Sequence, residues 1–185
     1  MDVNKVRVEE DQDLVDRILA GDREAFRVLV EKHHERVFRL VRGIVGDWHR
    51  TEDVCQEVFV LVYRKLSSFR RDSKLSTWIY RVAVNAAIRA RRRWAPRLPD
   101  PGTVHLREGN EDPNPSFEGE EVVKKLLAPL PAKLRAIVLL REEVGLGYDE
   151  IARVLGCSRG AVEQRLHRAM EALREIWKGR GGMEP

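Results

Sequence analysis

Apolar residues recur every three or four positions through most of the chain, which is the spacing of one face of an α-helix. The N-terminal part contains four such segments. The first ends at Gly21, and Asp22 can cap a second that runs to Gly46. A third starts near Thr51 and a fourth covers residues 76–94. Almost no stretch alternates β-branched with polar residues, so the pattern predicts an all-α protein.

The third segment, TEDVCQEVFVLVYRKL, predicts a helix with one apolar and one polar side. At 100° per residue, the apolar side contains Val54, Cys55, Val58, Phe59, Leu61, Val62 and Leu66. The opposite side contains Asp53, Gln56, Glu57 and Arg64. We therefore expect a core-facing side and an acidic, amide-bearing outer face.

The fourth segment carries the strongest charge asymmetry, because residues 73–99 contain Lys and Arg but no Asp or Glu. Its inward stripe is Ile79, Ala83, Ala86 and Ala90, and its opposite side contains Trp78, Arg81, Asn85, Arg89 and Arg92. A tryptophan beside an amide and arginines suits nucleic-acid backbone and unstacked bases. The helix is equally compatible with a core tryptophan and solvated arginines.

A change in composition divides the chain. Residues 94–116 hold five of the eight prolines and show no helical or strand period. This stretch is predicted to be a linker between an N-terminal and a C-terminal unit.

Past the linker, the pattern predicts four helices, of which the last two form a helix-turn-helix around Gly156. Inward positions of the last helix are Val162, Leu166, Ala169, Leu173 and Ile176, and outward ones are Gly160, Glu163, Gln164, His167 and Arg168. Ser158 and Arg159 stand where the helix would enter a major groove. An ordinary helical hairpin is the alternative, but the match at inner, turn and outer positions favours DNA binding.

Composition excludes several classes of protein. Charged residues make up 35% of the chain and the net charge is +4, which suits a polyanionic partner. Cys55 and Cys157 are the two cysteines of the chain and have no partner at metal-ligand spacing, so neither a disulfide framework nor a zinc knuckle is indicated. We therefore expect no metal site and a reduced, cytoplasmic chain. No apolar run approaches the ~18 residues of a membrane span. His33 and His34 lie among charged residues and are expected at the surface.

Four stretches together resemble a bacterial RNA polymerase sigma factor of the extracytoplasmic-function (ECF) group. They are AGDREAFRVLVEKHHERVFRLVRGIVGD, EDVCQEVFVLVYRKL, FRRDSKLSTWIYRVAVNAAIRARRR and LPAKLRAIVLLREEVGLGYDEIARVLGCSRGAVEQRLHRAMEALR. They occur in the family's order and cover nearly the whole chain outside the linker and tails. The resemblance implies two small helical domains joined by a flexible linker: region 2 in residues 1–93, the linker in 94–116 and region 4 in 117–185.

The resemblance also implies roles for residues on the faces described above. Asp53, Gln56 and Glu57 match the region 2 contacts with core RNA polymerase. The residues that match those holding a flipped base and the opened minus-ten element are Arg71, Asp72, Ser73, Lys74, Trp78, Arg81, Asn85 and Arg89. The minus-thirty-five element would be read by Ser158, Arg159, Glu163, Gln164, His167 and Arg168. Gln164 stands where the family often has serine, so it could alter base preference.

The partners implied are core RNA polymerase, double-stranded promoter DNA, its melted single strand and an anti-sigma factor, with no cofactor. The alternative function is a helix-turn-helix transcriptional regulator that is not a polymerase subunit. Such a regulator would normally carry a ligand pocket or dimerisation domain instead of the basic fourth helix. An enzyme using Glu52, Asp53 and Glu57 lacks histidines at ligand spacing, a glycine-rich phosphate loop and a recognisable nucleophile, so we expect no catalytic residues.

Overall fold

The structure of the protein is a computed structural model that describes residues 3–94, 123 and 125–179, with side chains described from residue 10 onward. Within these ranges the N-terminal unit contains α1 (Val3–Leu19), α2 (Arg23–Val45), α3 (Trp48–Lys65), a 3-10 turn (Leu66–Ser68) and α4 (Leu75–Trp94). The C-terminal unit contains α5 (Ala132–Glu142), α6 (Tyr148–Leu155) and α7 (Arg159–Gly179). The all-α fold is confirmed. The predicted linker lies outside the described residues except for Trp94.

Local capping explains where the N-terminal helices begin and end. The Asp22 carboxylate accepts hydrogen bonds from the backbone N–H groups of Glu24 at 2.9 Å and Ala25 at 3.1 Å, as predicted for an N-cap. Gly46 ends α2 with a φ of 85°, which glycine adopts without strain. The predicted start of α3 at Thr51 was wrong. The helix begins at Trp48 because Asp47 caps it.

The core of the N-terminal unit lies between α2, α3 and α4. The predicted inward stripe of α4 is confirmed, since its four members are fully buried: Ile79, Ala83, Ala86 and Ala90. On α3 the apolar side is buried as predicted, except that Leu61 is half-buried. Alanine has almost no side chain to keep helices apart, so the stripe lets α4 lie close to its neighbours.

A second stripe of α4, formed by Thr77, Tyr80, Val84 and Ala87, is also buried, and the sequence analysis did not predict it. Helix α6 of the C-terminal unit packs against α4. Burial is the main cause that raises the pKa of the Tyr80 hydroxyl, and the Glu150 carboxylate of α6 adds to it. Thus α4 lies between two layers, which explains its second apolar stripe.

In the C-terminal unit, α6 and α7 form the predicted helix-turn-helix. Gly156 ends α6 with a φ of 62°, in the left-handed region that favours glycine. The predicted inward residues of α7 are buried at Val162, Leu166 and Ala169 and half-buried at Leu173 and Ile176. The Gly147 N–H donates to the Glu150 carboxylate at 3.2 Å and so fixes the start of α6.

The two units pack directly on each other. The Arg135 guanidinium of α5 is only 2% exposed and donates from Nη1 to the Ile44 carbonyl of α2 at 3.1 Å. The docking interface, as we call it, comprises Arg39, Gly43, Ile44 and Lys74 of the N-terminal unit and Arg135, Leu139, Glu143 and Glu150 of the C-terminal unit. Its contacts are far apart in sequence, so no local pattern predicts them.

The expected surface position of His33 was wrong, because this residue is only 4% exposed. It belongs to the buried face of α2, and among the described residues neither ring nitrogen has a hydrogen-bond partner. Burial, as the main cause, lowers the pKa of His33 from 6.5 to about 4. His34 is exposed and stacks on Phe38 at 5.9 Å.

The buried imidazole should make the free energy of unfolding depend on pH. Below about pH 6.5 the unfolded chain takes up a proton at His33, whereas the folded chain remains neutral there until about pH 4. The contribution of neutral His33 to the free energy of unfolding is therefore complete above pH 6.5 and decreases as the pH falls towards 4. The decrease is roughly 2 kcal/mol at pH 5. Urea unfolding of wild type and His33→Leu at pH 7 and pH 5 should show the smaller loss in the variant. His34→Leu is the control, and equal losses in all three proteins would contradict the assignment.

Candidate nucleic-acid and protein interfaces

The outer side of α3 forms a compact acidic face, defined by Asp53, Gln56 and Glu57. Asp53 and Gln56 are exposed, and Glu57 is partly exposed because its carboxylate lies 3.5 Å from the Arg93 guanidinium of α4. Val60 belongs to the same side and is 49% exposed, although the sequence analysis left it unassigned. Val60 could have been assigned to this side from the sequence, because it follows Asp53 by seven residues, which is about two helical turns. The face thus offers carboxylates, an amide and one apolar contact to a partner.

A cavity of about 240 Å³ lies where the loop before α4 meets α1. The structure brings all four predicted loop residues to its wall: Arg71, Asp72, Ser73 and Lys74. Four residues that the sequence analysis missed complete the wall, namely Asp11 and Gln12 of α1 together with Phe69 and Leu75. We call this the base cavity, because the resemblance to sigma factors predicts that the loop holds a flipped base. No local pattern links α1 with a loop that follows it by some sixty residues, so the contribution of α1 depends on the tertiary fold.

Two cations at the base cavity already have carboxylate partners. Arg71 has a φ of 60°, which is uncommon for a residue other than glycine, and its guanidinium pairs with Asp16 of α1. The Lys74 ammonium lies 3.0 Å from the Glu150 carboxylate of α6. The first pair fixes the loop to its own unit, whereas the second joins the cavity to the C-terminal unit.

The basic face of α4 continues from the base cavity. Arg81, Asn85 and Arg89 are exposed along one side of the helix, as expected from their spacing. Trp78 differs from the expected outward position, because it is half-buried against the core and its ring centre lies 5.6 Å from that of Phe69. The sequence was compatible with either an exposed or a core tryptophan, and the half-buried ring lies between the two, with one part packed against the core and the other in solvent.

The first turn of α7 presents the predicted groove-reading side chains. The Ser158 hydroxyl accepts a hydrogen bond from the Ala161 N–H at 3.2 Å and so caps the helix. Arg159 donates to Glu163 and to Asp149, both at 3.2 Å, and its guanidinium lies 5.7 Å from the centre of the Tyr148 ring. Hydrogen bonding to Glu163 is the largest cause that raises the pKa of Arg159. These contacts hold the guanidinium at the N-terminal end of α7.

The remaining predicted reading residues lie further along the exposed side of α7. The structure places Glu163, Gln164, His167 and Arg168 at the surface. His167 faces Glu171 at 3.2 Å. All four side chains are exposed, so the N-terminal unit does not cover them.

Two further properties of the described residues bear on function. No group of three or more His, Cys, Asp and Glu side chains among them is arranged to hold a metal ion. None of the helices that the structure describes combines the length and the apolar character needed to cross a membrane.

Comparison with known proteins gives two matches to family models and several relatives. The model of Sigma-70 region 2 matches residues 29–95, and that of Sigma-70 region 4 matches residues 120–173. The chain is 37% identical over 181 residues to the RNA polymerase sigma-H factor of Pseudomonas aeruginosa, covering 89% of this chain and 92% of that protein. It is 38% identical over 178 residues to the ECF RNA polymerase sigma-E factor of Escherichia coli, covering 88% and 92%.

Solved structures give the same fold. CnrH, solved in complex with the cytosolic domain of CnrY, superposes with a TM-score of 0.70 at 26% identity and covers 92% of this chain and 98% of that one. The sigma factor RpoE of Bartonella quintana, solved with the anti-sigma factor NepR, gives a TM-score of 0.62 at 21% identity and covers 83% and 96%.

Proposed function

The chain belongs to the family of ECF RNA polymerase sigma factors, and from this premise we propose that it binds core RNA polymerase, directs it to promoters and helps to open the DNA. The observation that carries the proposal is the base cavity beside the basic face of α4, in the same unit as an acidic face suited to a protein partner. A factor that opens DNA under polymerase needs both surfaces on one rigid body.

The proposed work of the N-terminal unit, residues 1–93, is core binding and strand opening. The acidic face of α3 would bind core polymerase through Asp53, Gln56 and Glu57. A base flipped from the minus-ten element would enter the base cavity, where Asp72 and Ser73 supply hydrogen-bonding groups. Arg81, Asn85 and Arg89 would then follow the displaced strand, because positive charge and an amide suit an exposed backbone and unpaired bases.

The proposed work of the C-terminal unit, residues 117–185, is duplex reading at the minus-thirty-five element. Helix α7 would enter the major groove by its first turn, so that Arg159 reaches a base edge or a phosphate. Gln164 and Arg168 lie five and nine residues further along the helix and could meet bases or backbone. This unit positions the polymerase, and the N-terminal unit acts downstream of it.

We further propose that an anti-sigma factor controls the chain. The support is that the B. quintana relative was solved with an anti-sigma factor and that CnrH was solved with the cytosolic domain of a second protein. Sigma factors are transcription initiation factors rather than enzymes, and we assign this chain no catalytic residue and no cofactor.

Run-off transcription with purified core polymerase and a library of genomic promoter fragments tests the proposal. The chain should co-elute with core and yield discrete transcripts whose promoters share two sequence elements. Core polymerase alone should yield none of them. If the chain binds promoter fragments but neither co-elutes with core nor supports transcription, it is a helix-turn-helix regulator outside the polymerase.

A further inference from the structure

The guanidinium of Arg159 is held by three side chains from two helices. Its Nε donates to Glu163, one turn further along α7, at 3.2 Å, and its Nη1 donates to Asp149, near the start of α6, also at 3.2 Å. Its central carbon lies 5.7 Å from the centre of the Tyr148 ring. We call Tyr148, Asp149 and Glu163 the arginine clamp. The clamp fixes the head of a side chain that the sequence analysis placed at the entrance to a major groove.

The contacts of the arginine clamp are too exposed to be explained by stability. The side chains of Arg159, Asp149 and Glu163 are 59%, 65% and 49% exposed. Ion pairs at such positions contribute little to folding, because water screens the charges and the side chains lose conformational entropy. The same contacts restrict the rotamers of Arg159, so less entropy is lost when the guanidinium binds a ligand. The clamp therefore favours a role in binding.

The parts of the clamp are fixed to the ends of α6 and α7. The Ser158 hydroxyl caps the helix that begins with Arg159. The Tyr148 ring lies 5.1 Å from a second guanidinium, that of Arg141, which donates to the Leu146 carbonyl at 3.2 Å. The ring is thus held near two arginines, one of which is bonded to the backbone. Arg159 is consequently placed by the geometry of the helix-turn-helix itself.

The clamp leaves enough donors on Arg159 to recognise a base. A guanidinium has five N–H groups. Among the residues that the structure describes, Asp149 uses one of them on Nη1 and Glu163 uses the one on Nε, which leaves one on Nη1 and both on Nη2. Guanine presents two acceptors in the major groove, O6 and N7, and an arginine bonded to both is the commonest specific contact. Arg159 can therefore bind guanine without leaving its carboxylates.

The charges of the clamp favour a base over a phosphate. One guanidinium lies between two carboxylates, so the group as a whole is negatively charged. Such a group repels the DNA backbone, whereas the edge of guanine is uncharged and offers acceptors to the remaining N–H groups. Without the carboxylates, the guanidinium would bind any phosphate within reach, and phosphate contacts carry no sequence information.

We propose that the arginine clamp positions Arg159 for two hydrogen bonds to a guanine of the minus-thirty-five element and keeps it away from phosphates. Tyr148, Asp149 and Glu163 are then positioning residues that determine specificity, and Glu163 acts through Arg159. This inference rests on the proposed function, because it requires that α7 enters the major groove of a promoter. It names the base that the first turn of α7 selects.

Base analogues test the recognition of guanine. Holoenzyme that contains the full-length chain is bound to a promoter obtained by run-off transcription, in which each minus-thirty-five position is substituted in turn. At one position, adenine in place of guanine should weaken binding about tenfold or more. There 7-deazaguanine, which lacks the N7 acceptor, should also bind more weakly, whereas inosine, which keeps O6 and N7, should bind like guanine. Arg159→Ala should abolish the preference at this position alone. If Arg159→Ala weakens binding to every sequence equally, Arg159 meets phosphate and the proposal is wrong.

The double variant Asp149→Asn, Glu163→Gln tests the carboxylates, because it keeps the shape of the clamp and removes its negative charge. The preference for guanine over adenine should decrease at least about threefold, and duplexes without the element should bind more tightly. The dependence of log affinity on log salt should become steeper by about 0.9, the value for one additional phosphate. Glu142→Gln with Glu175→Gln makes the same change in net charge at exposed positions outside the clamp and should leave the guanine preference unchanged. An unchanged preference in the clamp variant would show that the carboxylates do not position Arg159.

Tyr148 provides a test that leaves every charge in place. Tyr148→Leu should lower the guanine preference about threefold without changing the salt dependence, since the guanidinium loses the aromatic face beside it. Tyr148→Phe keeps that face and should behave as wild type. Thermal unfolding of each variant shows whether the fold is retained. Equal losses in Tyr148→Leu and Tyr148→Phe would contradict the role of the ring.

The outcomes separate this inference from the proposed function. If no holoenzyme forms, the proposed function fails, and selection of duplexes from a random pool by the full-length chain alone still tests the clamp. Duplexes recovered with wild type should share a guanine that Arg159→Ala no longer selects. If wild type prefers guanine at no position that depends on Arg159, the inference is wrong even where transcription is normal.

Discussion

Replacing Asp53 and Glu57 together with lysine is expected to abolish binding to core RNA polymerase and to leave the helix content unchanged. Neither side chain contributes to the core of the N-terminal unit, so the fold has no need of their charge. A wrong-signed charge at a partner surface can cost several kcal/mol, which corresponds to a loss of affinity of about a hundredfold or more. Co-elution with core and fluorescence titration measure the loss, and circular dichroism measures the helix content.

Two variants separate the face itself from general charge effects. Glu171→Lys with Glu175→Lys makes the same change in net charge at the same spacing on α7, where both residues are exposed, and should retain core binding. Asp53→Lys alone leaves the contact between Glu57 and Arg93 intact. Near-normal core binding by the Asp53→Lys, Glu57→Lys double variant would show that another surface binds polymerase.

The sequence predicted those features that depend on residues close together in the chain. Asp22 and Gly46 could be identified as helix ends because capping needs only a side-chain acceptor or a left-handed φ within the same turn. The start of α3 was misplaced near Thr51, although Asp47 is also a common capping residue. In the structure Asp47 is the N-cap, because its carboxylate accepts a hydrogen bond from the Arg50 N–H at 3.0 Å.

Features that depend on other helices were missed or misread. His33 has charged neighbours in sequence but faces inward, so burial followed the period of the helix and not the polarity of the adjacent residues. Tyr80 belongs to a second apolar stripe of α4, which could have indicated a layer on that side. The stripe does not identify the covering element, and the contact between Arg135 and Ile44 has no local pattern at all.

Reading a duplex and holding an opened strand make different demands, so variants of the two units should fail differently. Arg159→Ala with Arg168→Ala should weaken binding to duplex minus-thirty-five DNA, by about 1 to 3 kcal/mol for an arginine bidentate to guanine and by less for one on phosphate. If Arg159 meets phosphate, it must also give up its contacts with Asp149 and Glu163, which reduces the net loss on its removal. Unpairing the minus-ten element in advance should not rescue this double variant.

Asn85→Ala, in contrast, should bind the duplex normally and fail to open it, because its exposed amide would act only once bases are unpaired. A template with a mismatched bubble at the minus-ten element should therefore restore much of the transcription, since the cost of unpairing has already been met. Permanganate footprinting of unpaired thymines on duplex and bubble templates measures opening directly. Val28→Ala, at an exposed position of α2 outside the proposed DNA-binding and polymerase-binding faces, is the control and should open the duplex as wild type does.

Trp78 needs a variant that separates base stacking from packing, because the ring also contacts Phe69. Trp78→Leu keeps a large apolar side chain but loses the aromatic face, so thermal stability should fall only modestly. Opening of the duplex should fall about tenfold, because stacking of one base on an aromatic ring contributes about 1 to 3 kcal/mol. The bubble template should again restore transcription. If Trp78→Leu and Asn85→Ala both open duplex DNA normally, these two residues are structural, and strand opening depends on the loop that lines the base cavity.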